Sequence, residues 1–254
     1  MKTQLSLPLL LYIVLIEGFV TISVEMLTIR QLIPVVGNSV VVTSLIIGVF
    51  LLFLAYGYRK GGLCTANYLS VLANNFRNAA FLLGIGLSYI FINQFFYILQ
   101  TLGAHIFFSL IIYLLLLIAP LVYVLGQTVP ITIKLFKEEH AIGSVSGTVL
   151  HLSTIGSFLG SVLTTLLFMN YLGIAWTIVI NFLLMISLAS VVTLSESKDL
   201  KRLFGQGWVT SKIILFAIGA CIFSNKCSID KGIKIFLCCN FKSSNKSFFI
   251  FYKL

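Results

Sequence analysis

The sequence predicts an all-α membrane protein: a polytopic bundle of six transmembrane helices with a possible short or truncated seventh. Three observations carry that expectation. Six long apolar runs fill most of the first 194 residues. The chain is 59% hydrophobic and only 9% charged, where soluble proteins carry about 25% charged residues. Mean hydropathy is +1.08. About 20 helical residues cross the roughly 30 Å hydrocarbon core of a bilayer, and the runs have that length.

The first run, Leu7–Leu27, is too long for the apolar core of a secretory signal and carries Glu17 near its centre. Pro34 is expected to end this helical unit, with Gly37-Asn38 as turn chemistry before the second run, Val40–Tyr58. The third and fourth runs are Ala79–Ile98 and Ile106–Leu125. Gly84 and Gly86 in the third read as a packing or kink feature. Pro120 is positioned to kink the fourth, while Pro130 falls just past its end. The fifth and sixth, Thr148–Phe168 and Leu172–Leu194, are separated by so little that a tight hairpin is expected. A seventh run, Ile213–Phe223, is short for a span. The domain reading is therefore a transmembrane bundle over 1–200, followed over 201–254 by a short apolar segment and a tail rich in Lys, Phe, Ser and Asn. The tail has neither helical nor alternating periodicity. Two readings stay open for it: a degenerate or out-of-frame end, or a basic-aromatic segment lying on anionic lipid.

The net charge of +10 first suggests nucleic acid, and its distribution argues otherwise. Lys2, Arg59, Lys60, Arg77, Lys134, Lys137, Lys198, Lys201, Arg202 and Lys212 all fall on one side of the expected topology; only Arg30 falls on the other before the tail. That bias is what the positive-inside rule produces, so the N-terminus is expected to be cytoplasmic, in a multi-pass protein of the plasma (inner) membrane. No nucleic-acid partner is expected; the partner is the lipid bilayer. The five cysteines have no paired spacing and no nearby histidine, so they read as plain thiols rather than a disulfide framework or zinc site. No nucleotide-binding or hydrolase motif occurs, and no cofactor, metal site or catalytic residue is expected.

The candidate polar site is on the first helix. Glu17 and Glu25 are eight residues apart, which at 100° per residue places them about 80° apart on one broad face, with Thr21 between. A carboxylate at mid-membrane is expensive, about 2.5–3.5 kcal/mol on insertion scales, and should face other helices or water. Asn93, Gln94 and Asn181 are the in-span groups expected to meet it. Two readings follow: a cation or proton track, or structural hydrogen bonds between helices. In the fifth run, Gly156 and Gly160, beside Ser153 and Ser157, have the four-residue spacing of small residues that lets helix backbones approach closely.

Three stretches together resemble the membrane region of the spermidine synthase-like (aminopropyltransferase-like) integral membrane proteins, a bacterial family. They are Gly18 to Ser39 with Glu25 and Pro34, Ala55 to Gly62, and Gly126 to Gly173 with Pro130, Gly156 and Gly160. The resemblance covers about residues 7–195 and implies a transporter-like membrane domain ahead of a soluble synthase domain. No glycine-rich strand-loop-helix follows Leu200 here, so no catalytic residue carries over and no enzymatic activity is expected. The helices are also distantly similar to those of major-facilitator proteins, although the basic loop Arg59-Lys60-Gly61-Gly62 lacks that group's aspartate. The first functional expectation is thus a non-catalytic membrane anchor of this kind, with a separate soluble synthase-like subunit as a candidate partner. The alternative is a transporter of a small cation or polyamine using Glu17 as the intramembrane charge.

Overall fold

The computed structural model describes residues 7–196 except 38, 66 and 137–141. The seventh run, the tail, His140 and the four cysteines beyond residue 200 lie outside the described residues. Those described are all-α. Four helical stretches are long and apolar enough to cross a membrane, and a fifth is a pair of helices bent by 63°.

Helix α1 (Leu7–Val36) is 30 residues long, about 45 Å at 1.5 Å per residue. It runs through Pro34 rather than stopping there. The proline removes one donor in the last turn, where the ladder is ending anyway. The stop comes at Gly37, whose φ of 97° suits glycine and whose amide bonds the Ile33 carbonyl. Helix α2 (Val40–Gly62) starts on Ser39, whose hydroxyl accepts from the Val41 amide. At its other end Lys134 Nζ donates to the Gly62 and Cys64 carbonyls, satisfying backbone that the helix leaves open.

The third expected span is two helices, α3 (Tyr68–Gly86) and α4 (Tyr89–Thr101). Helix α3 begins inside the stretch expected to be a loop, and Ala79–Ile98 is broken at Leu87-Ser88. The break frees the Gly86 carbonyl inside the bundle, and the fully buried Tyr113 hydroxyl donates to it at 2.7 Å. An apolar interior tolerates a broken helix only with such compensation.

The fourth span is longer than expected, Ile106–Leu135. It consists of α5 (Ile106–Tyr113), a π-helical turn over Leu114–Ile118, α6 (Ala119–Gly126) and α7 (Thr128–Leu135). Pro120 has no amide for the Leu116 carbonyl, and the backbone answers with one wide turn in which the Ala119 amide bonds Leu114. Pro130 is not past the end but in the first turn of α7, where a missing donor costs nothing.

Helix α8 (Ile142–Val162) passes into a second π-helical stretch, Leu163–Leu172, and then α9 (Gly173–Glu196). Gly173, with φ 82° and ψ 169°, interrupts helical geometry between them.

Helix α1 is central and meets almost every other element. Its closest partner is α8, and the two run parallel: Leu15 faces Gly156, Phe19 faces Gly160 and Ser23 meets Thr164. Helix α2 runs parallel to α6 and α7, with Gly57 against Gly126 and Gly61 against Gln127 and Pro130. Helix α3 lies along α9. Val14, Val129, Val145 and Val149 cluster together, which places the starts of α1 and α8 at the same end as α7. Lys134 ties the end of α2 to that end too.

Candidate functional site: the polar line of the central helix

Most faces of α1 are covered, so its polar residues, the exposed Arg30 excepted, are enclosed by protein rather than lipid. Glu17 is only 2% exposed, and Thr21, one turn on, donates its hydroxyl to Glu17 Oε1 at 2.9 Å. The other oxygen, Oε2, is buried with no hydrogen-bond partner. A carboxylate can accept about four hydrogen bonds, so most of this group's capacity is unused.

Further polar residues are buried along α1, though not all on the face of Glu17: at 100° per residue Ser23 and Glu25 lie on nearly opposite sides of the helix. Ser23 and Thr164 hydroxyls share a hydrogen bond of 2.7 Å, Thr28 donates to the Val24 carbonyl, and Glu25 is 9% exposed. Gln31 is buried with its Oε1 unpartnered. Buried polar atoms normally find partners, so Glu17 and Gln31 stand out as two unfilled acceptors on one helix.

The other candidate residues divide. Asn93 and Gln94 are exposed on α4 and bond neither glutamate. The 63° break turns α4 so that Ile92 and Phe96 are its buried residues instead. Asn181 is fully buried on α9, but its Nδ2 bonds the Thr177 carbonyl one turn back while its Oδ1 has no partner. It serves its own helix, not Glu17.

Gly156 and Gly160 form the seat of α8 on α1. A Cβ at either would overlap the backbone of Leu15 or Phe19, and one at Gly18 would overlap Ser153. Ser157 donates its hydroxyl to the Gly18 carbonyl at 3.3 Å. These contacts hold the glutamate-bearing turn of α1 rigidly against its neighbour. His151 is exposed within α8.

Sequence reasoning missed Gln31 and the Asn75–Gln127 hydrogen bond of 3.2 Å between α3 and the α6–α7 turn. Gln31 lies fourteen residues past Glu17, about 40° round the helix from it at 100° per residue, and could have been included with it. The partnership of Asn75 with Gln127 leaves no trace in spacing. Among the described residues, no three His, Cys, Asp or Glu side chains gather as a metal ion would need. No protein-family model, curated protein or solved structure matches this chain.

Proposed function

We propose that this multi-pass membrane protein binds a small cation, a proton included, at Glu17 inside the bundle. The observation that carries this reading is the enclosed Glu17 carboxyl, with one oxygen held by Thr21 and the other without a partner. A lone acidic group is expensive in that setting, and an incoming cation or proton supplies what the protein does not. Glu25 and Gln31, buried further along α1, offer further oxygen acceptors.

The reading includes six crossings: α1, α2, the bent pair α3–α4, the span 106–135, α8 with its π stretch, and α9 after the turn at Gly173. It places the start of α1 in the cytoplasm, because Arg59, Lys60 and Lys134 lie at that end and Arg30 lies toward the other. The plasma (inner) membrane and a linear polyamine as the cation are the finer proposals that the family resemblance suggests.

The test is flux in vesicles reconstituted with the purified chain. Wild type should accumulate labelled spermidine or pass protons to a pH-sensitive dye, and Glu17→Gln should lose that flux while keeping its helical content. Amide and carboxyl are nearly isosteric, so only the titratable charge changes. Equal flux in both proteins, or none in wild type, would defeat the proposal.

A second reading, the non-catalytic membrane anchor, is favoured by the glycine-locked α1–α8 seam. Rigid attachment needs such a seam, whereas a moving transport path does not. It also carries the proposal that the chain forms no spermidine by itself. Co-purification with a soluble synthase-like subunit, without flux, would select it.

A further inference from the structure

We propose a second site, on the outer face of the bundle, that holds an anionic phospholipid. A recess of about 600 Å³ lies between α2 and the α5–α6 segment. At its rim are Arg59 and Lys60, both exposed, in the last turn of α2. Its walls include Tyr56 and Tyr123, and its floor includes Leu116 and Pro120. Two positive charges thus stand at one end of an aromatic and aliphatic trough.

The backbone explains why the trough exists. Gly57 and Gly126 bring α2 and α6 into backbone contact. The wide turn over Leu114–Ile118, forced by Pro120, lies beside that contact and leaves Leu115 and Leu116 exposed at 49% and 60%. The helices are therefore clamped along one line and open beside it.

Charge complementarity selects the occupant. Arginine forms two parallel bonds to a phosphate, lysine adds a point charge, and tyrosine hydroxyls favour the headgroup level. An acyl chain fits against the leucines and Pro120, where a free phosphate would have no contact. Basic pockets between membrane helices at the cytoplasmic surface suit anionic headgroups for the same reason. This inference requires that α2 spans, but it is independent of any ion at Glu17.

The experiment is native mass spectrometry of the full chain released from nanodiscs of phosphatidylcholine with an equal share of phosphatidylglycerol. Wild type should retain phosphatidylglycerol over phosphatidylcholine by at least fivefold. The double variant Arg59→Gln, Lys60→Gln should lose that preference, and Arg30→Gln, which removes a cation elsewhere, should keep it. Leu116→Trp fills the floor without altering charge and should lower retention of both lipids. Glycerol phosphate added in excess should not displace the lipid, because it lacks the chain. No anionic preference in wild type, or an unchanged preference in the double variant, would overturn the proposal; so would displacement by glycerol phosphate. Circular dichroism of each variant confirms that the helices persist, since all three charged positions are exposed.

Discussion

Glu17 and Thr21 form a pair in which the threonine is satisfied and the carboxyl is half satisfied. Their substitutions should therefore diverge. Thr21→Val removes the one bond that Glu17 accepts, and stability should fall by about 0.6–2 kcal/mol, the range for a polar contact between membrane residues. Glu17→Leu removes the unpartnered buried oxygen and frees the Thr21 hydroxyl to donate to the residue-17 carbonyl one turn back, as Thr28 does to Val24, so stability should be unchanged or raised. Chemical unfolding in mixed micelles measures both. A loss well above 2 kcal/mol for Glu17→Leu would mean that the carboxyl is held by more than Thr21 and serves structure. A stability gain with loss of flux is the pattern of a residue kept for function. The glutamate and its neighbour at one-turn spacing are visible in the sequence. The unpartnered oxygen is not, because it depends on what the neighbouring helices fail to offer.

At the level of the element, the seam between α1 and α8 depends on where glycine is required and where it is incidental. Gly156 faces the Leu15 backbone, and backbone cannot yield as a flexible side chain does. Gly156→Ala should therefore cost about 1–3 kcal/mol, the usual penalty of overpacking. Gly48, in α2, has nothing within 4 Å of an added Cβ. Gly48→Ala should stabilise by roughly 0.5–1 kcal/mol through helix propensity alone. Paired thermal melts in detergent check the contrast; a loss in both would show that α2 has a partner on its open face. The four-residue spacing of Gly156 and Gly160 is legible without coordinates, but the same letters could seat any helix. That α1 is the partner, in parallel, follows only from the folded arrangement. Gly84 and Gly86 marked a packing or kink feature, but that the chain breaks outright into two helices at Leu87-Ser88 was hidden. Ala79–Ile98 is apolar enough for one span, and the tyrosine that compensates the break lies 27 residues away from Gly86.

The whole molecule makes a prediction about sides. Leu63 and Leu102 are 66% and 76% exposed and follow α2 and α4 respectively. In a chain with its five cysteines replaced, Leu102→Cys should react with an impermeant maleimide added to intact cells. Leu63→Cys should react only after permeabilisation. Labelling of both from outside would reject the six-crossing topology, and labelling of Leu63→Cys alone would invert it. The charge count that motivates this orientation has a spatial counterpart: Lys134 reaches the end of α2, so residues far apart in sequence add their charges at one end.

Composition and run length were sufficient for the membrane class and the approximate positions of the apolar helices, because transfer into lipid depends on summed side-chain hydrophobicity over about 20 residues. Proline and glycine also marked where backbone geometry would change, though not how. Pro34 and Pro130 turned out to fit inside helices, and Pro120 produced a π turn. What only tertiary structure decided was pairing: that α1 is enclosed, that α8 lies parallel to it, that Asn93 and Gln94 are turned outward, and that Glu17 Oε2 and Gln31 Oε1 are left without partners. Each of these depends on contacts between residues distant in the chain. Periodicity assigns a residue to a helix face, but the identity of the neighbour on that face is set by how the whole bundle closes.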